Sequence, residues 1–391
     1  MSSSIDTFDD IVVGVGGSGS AAVYYLAKRG RKVLGIEQFD IAHELGSSHG
    51  LSRIIRKAYH ESPDYVALVE RAYELWFELE RESGQKLLSQ TGCLNIGPPD
   101  SQVFQGALSA AEEFGIPHEV MNAGELMARY PAIKVPSNMK ALLQPEGGFL
   151  EPEKCIISFV EGALKVGAEI HARERVISWR VEGENVTVVT DRGRYRSKKL
   201  VFTSGSWITK LVPDLPVPLE VERQVVGWFY PKKPELFQSG RLPVWILEPS
   251  KNSAYAFNAY GFPSHGFPGF KLGVMHHRRE IVDPDNFNRE PTREDEKYLR
   301  GFMAEYFPEA NGSTMALKTC LFTNSPDYSF LLDFHPKHPE VLIVSCCSGH
   351  GFKFCSAIGE IVADICSDGK SSQRIDFFSM NRERTRLNAD S

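Results

Sequence analysis

Residues 8–38 constrain the fold more than any other stretch. FDDIVVGV reads as a short strand. Ile11, Val12 and Val13 are consecutive and β-branched, as in a strand buried on both faces. GVGGSGSAAVYYLAKRG follows. Its apolar residues Ala22, Val23, Leu26 and Ala27 have helical spacing, and Gly30 suits a helix end. RKVLGIEQ is then a second strand ending at Glu37. Between first strand and helix, Gly14, Gly16 and Gly19 form G-x-G-x-x-G. The first glycine permits a tight turn, the second lets a pyrophosphate approach the backbone, and the third lets helix and strand pack closely. Free N–H groups and a positive dipole end at the helix start favour phosphate. Glu37 can accept both hydroxyls of an adenosine ribose and would repel a 2′-phosphate. The unit predicts a dinucleotide site without distinguishing FAD from NAD.

The chain has 391 residues, enough for two domains. Its net charge of −6 gives no reason to expect a nucleic-acid or membrane-surface partner. An acidic substrate would therefore need a local cationic pocket. No apolar run reaches the roughly 18 residues of a membrane span. The start, MSSSIDTFDD, lacks the basic and apolar regions of a secretory signal. There are seven cysteines and no CxxC, a usage that suits free thiols in a reducing compartment. The end, Ala389-Asp390-Ser391, is not the S-K-L peroxisomal signal. The expectation is a cytoplasmic protein, with a peroxisomal location as the alternative.

Further along, residues 64–84 have the period of an amphipathic helix, and 102–115 and 152–166 also read as helical. Residues 173–182 and 185–191 alternate like a hairpin, and 198–205 reads as a buried strand. From 216 to 275 the text is strand-rich and aromatic; 342–365 is again strand, glycine loop and helix. α/β text at both ends predicts a discontinuous first domain with the second inserted.

Three stretches then narrow the cofactor. They are Gly46-Ser47-Ser48-His49-Gly50-Leu51-Ser52-Arg53-Ile54-Ile55-Arg56, Lys318-Thr319-Cys320-Leu321-Phe322-Thr323-Asn324-Ser325-Pro326-Asp327, and Ser348-Gly349-His350-Gly351-Phe352-Lys353-Phe354. With the glycine motif, Gln224-Val225-Val226-Gly227 and Tyr260-Gly261-Phe262-Pro263, the chain resembles the monomeric sarcosine oxidase and L-pipecolate oxidase family of flavoenzymes over essentially its whole length. The resemblance implies an α/β chain, α+β overall. A Rossmann-like FAD-binding domain of the glutathione-reductase/D-amino-acid-oxidase type would comprise 1–85, 146–215 and 325–391. A mainly antiparallel substrate domain would comprise 86–145 and 216–324.

The resemblance also implies FAD bound covalently through Cys320, whose thiolate nearby cations would favour. It places Arg53 against the flavin and Arg56 on a substrate carboxylate, where a guanidinium can donate two parallel hydrogen bonds. Lys353 becomes the second carboxylate ligand. Lys271 matches a lysine that promotes reaction of reduced flavin with oxygen, since a fixed cation stabilises the anion formed as oxygen takes its first electron. Tyr260 falls at the substrate. Further cofactor contacts fall on Gly17, Ser18, Gln38, Ser47, Ser48, Ser52, Val176, Gly205, Trp207, Gly349, Gly351 and Phe352.

Some positions depart from the pattern. Phe322 stands where sarcosine oxidases carry a tyrosine, and Ile246 where they carry a methionine. Val274-Met275-His276-His277 has an extra residue, so either histidine could be the family's; His276 is taken as the site residue. A less polar pocket favours a larger, apolar or cyclic amine over sarcosine. The expected activity is oxidation of a secondary amino acid, sarcosine- or L-pipecolate-like, to an imine with reduction of O2 to H2O2. No metal and no protein general base are required, and relatives of this type suggest a monomer. Alternatives are the same chemistry on an N-methyl aromatic, glycated or biosynthetic cyclic amino acid, or a flavin dehydrogenase with a non-oxygen acceptor. A nucleotide-binding protein without catalysis would have no use for Cys320, Arg56, Lys271 and Lys353 together.

Overall fold

A computed structural model of the protein describes residues 5–266 and 269–382. The first four residues and the C-terminal tripeptide 389–391 lie outside the described residues. Strand Asp6–Val13 lies within an eight-stranded sheet. It runs parallel to Val33–Ile36 on one side and Arg194–Phe202 on the other. Ile11, Val12 and Val13 are buried: Val12 faces the core built with the helices, and Ile11 and Val13 face a second core with Val176, Val186, Val188, Ile208 and Val212. The strand ends at Val13 and not at Val15, because Gly14 takes a φ of +94°. Helix Gly17–Lys28 then crosses back, packed against Pro152–Lys165 and Cys355–Asp368. That second contact depends on Gly359, where a Cβ would come within 2.5 Å of Ala21 Cβ.

The remaining strands of this sheet are Glu169–His171, the antiparallel pair Val176–Glu182 and Asn185–Thr190, and His338–Ser345 with Leu331–His335. The expected helices fall at Tyr65–Ser83, Gln102–Glu113 and Pro152–Lys165.

A second, nine-stranded sheet is antiparallel except where Val244–Leu247 runs alongside Cys93–Gly97. Its longest strands, Glu220–Tyr230 and Ser313–Asn324, pair along their whole length. Helix Arg293–Tyr306 buries Leu299, Phe302, Met303 and Tyr306 in the same core as Trp245, Phe270 and Phe307. Thr292 and Asp295 form a capping box at its start, and Asp295 also holds buried Arg223 at 2.9 Å. A small third sheet joins Arg53–Ile55, Gly148–Leu150 and Leu88–Gln90. Through Phe149 it packs on Cys93, Val244 and Phe262 of the second sheet.

The first sheet draws its strands from 6–36, 169–202 and 331–345; the second from 93–144 and 220–324. On that distribution we propose the division into 1–85, 146–215 and 325–391 against 86–145 and 216–324 as two domains.

Candidate cofactor and substrate site

One cavity of about 1170 Å³ is lined by residues from both large sheets. It exceeds the roughly 300–1,000 Å³ of an ordinary small-molecule pocket, as a site for a dinucleotide plus a substrate must. At one end lie Gly14, Gly16, Gly17, Ser18, Glu37, Gln38 and Val176. Ser47, Ser48, Arg53, Gly205, Trp207 and Cys320 follow. At the other end lie Arg56, Ile246, Tyr260, His276, Phe322, Gly349, Gly351, Phe352 and Lys353.

The glycines explain the first end. A Cβ on Gly16 would meet only Ser48 Oγ, at 3.8 Å, so the loop is open toward the cavity. A Cβ on Gly19 would lie 1.8 Å from the Gly14 carbonyl oxygen. Gly19 therefore packs the loop and does not line the cavity. Glu37 accepts from the backbone N–H of Val15 at 2.9 Å and of Phe39 at 3.0 Å. Both bonds fix its carboxylate at the strand end, where a ribose would sit. These features fit a bound dinucleotide.

In the middle, Arg53 donates to the carbonyls of Ser52 and Ser47 at 2.9 and 2.8 Å. Its Nη2 is 3.9 Å from Cys320 Sγ. Burial pushes the Cys320 thiol up, and Arg53 and Lys271 pull it only part of the way back. The expected thiolate preference is thus reversed by desolvation. His49 is buried and neither ring nitrogen has a partner; burial lowers its pKa to about 3. The charges of Arg53 and Lys271 lower it further, and His49 is not among the residues lining the cavity. The sequence did not single out His49.

Lys271 and Ser52 stand outside the cavity wall. Lys271 Nζ donates to Gly50 O, Ser52 O and Ser52 Oγ at 2.6, 2.9 and 3.0 Å, which turns it into the loop beside Arg53. Burial pushes its pKa well below that of an ordinary lysine, and Arg53 adds to the effect.

At the far end, Arg56 is 1% exposed. It donates to Ala58 O at 3.0 Å and to Glu61 Oε2 at 2.6 Å, while its Nε has no partner. Burial alone would raise the Glu61 carboxyl, but Arg56 holds it well below the usual range. Lys353 Nζ donates to His350 O at 2.6 Å, and burial, then Arg56, lowers its pKa to about 7. Tyr59 O–H meets His350 Nδ1 at 2.5 Å. Apolar walls come from Ile246, Phe257, Phe322 and Met275. His277 is buried away from the cavity, with Nε2 2.9 Å from Asp295, so of the two adjacent histidines it is His276 that lines the cavity. Glu61 was not anticipated: its partnership with Arg56 arises in an irregular segment that no spacing rule describes.

Comparison with known proteins agrees with this geometry. The family model described as FAD dependent oxidoreductase matches residues 9–365. The chain is 40% identical over 387 residues to a monomeric sarcosine oxidase of Bacillus sp. (strain NS-129), covering 98% of each. It is 34% identical over 382 residues to an N-methyl-L-tryptophan oxidase of Yersinia pestis (strain Pestoides F), covering 96% of this chain and 100% of the relative. Among solved structures, NikD, an unusual amino acid oxidase essential for nikkomycin biosynthesis, superposes with a TM-score of 0.84 at 23% identity, over 96% of this chain and 97% of the other. L-proline dehydrogenase from P. horikoshii gives 0.83 at 21%, over 99% and 100%. These two likenesses speak to fold.

Proposed function

The chain belongs to the FAD dependent oxidoreductase family, and we propose that it oxidises the C–N bond of a small secondary amino acid to an imine, with reduction of O2 to H2O2. The observation that carries this reading is the pairing of two buried cations, Arg56 and Lys353, at the end of the cavity beyond the dinucleotide cradle. An amino-acid carboxylate docked on them would have its amine and reacting C–H directed back toward Arg53 and Cys320. Orientation of this kind can supply much of a rate.

Bound FAD supplies the hydride acceptor and returns the electrons to oxygen. Gly14, Gly16 and the start of helix Gly17–Lys28 would hold its pyrophosphate, Glu37 its ribose, and Cys320 its ring through a thioether. Lys271 is the cation assigned to the oxygen step, acting from behind the Gly50–Ser52 loop. A sarcosine oxidase from Bacillus at 40% identity supports the amine chemistry, as does the name of that relative for a monomer.

Substrate choice rests on the walls. Ile246 and Phe322 offer apolar surface where a methionine and a tyrosine hydroxyl would suit sarcosine, so a cyclic or larger apolar amine is favoured. A second reading, an N-methyl aromatic amino acid, is favoured by Phe257 and Tyr328, whose rings also line the cavity. The experiment that separates these is an anaerobic titration of the flavin spectrum with a panel of secondary amino acids.

A further inference from the structure

The cavity face of the second sheet is built in rungs. Strands Val244–Leu247, Ala259–Phe262 and Phe270–Val274 lie side by side, with Ile246 opposite Tyr260 and Tyr260 opposite Gly273. Trp245, Leu247, Ala259, Leu272 and Val274 belong to the core, so the residues alternating with them face the other way. Phe262 and Lys271 form the rung beside the Gly50–Ser52 loop. Ile246 and Tyr260 form the next, on the wall of the substrate end. The same register continued by one residue sets Glu248 opposite Asn258, and both line the cavity. Backbone bonds extend the ladder to them: Glu248 N donates to Ile96 O at 2.9 Å and Met275 N to Asn258 O at 2.8 Å. The outer rung is therefore polar, about 7 Å beyond Ile246 along its strand.

Only half of the Glu248 carboxylate is engaged. Its Oε2 accepts from Val103 N at 2.9 Å, at the start of helix Gln102–Glu113, where Ser101 Oγ also accepts from Phe104 N at 3.3 Å. Gly97 makes room for this arrangement, since a Cβ there would lie 2.3 Å from Ser101 Oγ and 3.4 Å from Glu248 Cβ. Among the described residues Oε1 has no hydrogen bond, Glu248 has no ion pair, and the Asn258 amide has no partner. Other carboxylates at this end are occupied. Glu61 pairs with Arg56, Asp327 with Arg382, and Glu222, behind the wall, with His276 and Asn324. The cations nearby are also placed elsewhere. Lys251 holds Asp100 at 2.6 Å, and Arg279 stands over the Phe257 ring, past the end of Phe270–Val274 and two strands from Glu248. The helix that Glu248 caps abuts the carboxylate anchor: a Cβ on Gly106 would lie 2.6 Å from His60 O, next to Glu61.

We propose that Glu248 and Asn258 form a second polar subsite, which takes the protonated tip of a long substrate side chain. The ligand class is a secondary amino acid whose side chain is lysine-like, methylenes ending in an ammonium. The proposal rests on the amine-oxidase reading above and narrows its substrate. With the carboxylate on Arg56 and Lys353, a four-carbon stem spans about 6 Å from Cα to its terminal nitrogen, close to the step from Ile246 to Glu248. The methylenes lie on Ile246 and Phe257, which line the cavity, while the ammonium donates to Glu248 Oε1 and the Asn258 side-chain oxygen. Glu248 keeps Val103 N on its other oxygen and does not have to move. An apolar tip would instead strip water from a carboxylate and give it no partner. No bond is made or broken at this subsite, so it acts on affinity and not on the reacting C–H.

The test uses flavin-loaded wild type and Glu248→Gln, in which the glutamine oxygen still accepts from Val103 N. Each is mixed anaerobically with Nα-methyl-L-lysine and with Nα-methyl-L-norleucine, which has the same four-carbon stem without the ammonium. Sarcosine and L-pipecolate serve as reference substrates. Dissociation constants come from the concentration dependence of flavin reduction. Wild type is expected to bind the lysine derivative at least about tenfold more tightly than the norleucine derivative. Glu248→Gln is expected to lose that preference, with the change in the dissociation constant and not in the limiting rate. Equal affinity in wild type, a preference that survives in Glu248→Gln, or reduction by sarcosine or L-pipecolate alone overturns the proposal and leaves Glu248 a helix cap. If no secondary amino acid reduces the wild-type flavin, the amine-oxidase reading itself fails, and the subsite falls with it.

Discussion

Glu61 Oε2 stands 2.6 Å from Arg56 Nη2, so the guanidinium expected to bind a substrate carboxylate already has a carboxylate on it. Incoming substrate must compete with Glu61 or displace it. Glu61→Gln removes the competing charge and keeps the shape. It should tighten substrate binding roughly tenfold, about 1.4 kcal/mol. Arg56→Ala should instead weaken binding by about 2–5 kcal/mol. Dissociation constants from flavin absorbance check both. Weaker binding in Glu61→Gln would mean that Glu61 holds Arg56 in place and does not compete.

Lys353 makes carboxylate binding depend on pH. Its pKa is lowered to about 7, so the ammonium is present below that pH and lost above it. Affinity for a carboxylate without an amine, such as acetate, should therefore fall as pH rises through about 7, by up to tenfold per unit. His350, lowered to about 4, stays neutral through this window and adds no slope. Lys353→Met should flatten the curve and weaken binding at the acid end. A slope that survives in Lys353→Met would place the titrating group elsewhere.

The dinucleotide end was legible because everything it needs is local. Ile11 to Glu37 encode strand, turn, helix and strand within one continuous segment, and Gly14 and Gly19 do what their spacing implies. Glu222 was not legible. Its acid sits in V-E-R-Q on a strand, which reads as an ordinary half-exposed position. It is buried because Ser313–Asn324 pairs alongside and brings Asn324 to its carboxylate, a contact between residues far apart in the chain. Helix Arg293–Tyr306 was legible and overlooked. Thr292 and Asp295 have capping-box spacing, and Leu299, Phe302, Met303 and Tyr306 recur with helical period. The direction of Lys271 could not be read, because alternation along Phe270–Val274 gives a face and not the carbonyls that Nζ meets.

Lys271 separates the two half-reactions. Lys271→Met keeps most of the side-chain volume but removes the cation and leaves Gly50 O, Ser52 O and Ser52 Oγ without their donor. Stability should drop by about 1–3 kcal/mol. Flavin reduction by substrate should persist, while reoxidation by air slows by orders of magnitude. Stopped-flow reoxidation rates decide; unchanged rates would remove Lys271 from the oxygen step.

Cys320 is the proposed attachment point, 3.9 Å from Arg53 Nη2. Acid denaturation of wild type should precipitate the flavin with the protein. In Cys320→Ser the flavin should stay in the supernatant. Flavin released from wild type under the same treatment would show that the cofactor is held without a covalent bond.

The most direct measurement is the visible spectrum of the purified protein under anaerobic conditions, followed during addition of sarcosine, L-pipecolate, L-proline and N-methyl aromatic amino acids in turn. The account predicts a flavin spectrum that one of these secondary amino acids bleaches, with colour and H2O2 returning together on admission of air. A flavin that none of them reduces, or protein made with ample FAD that shows no flavin spectrum, would contradict it.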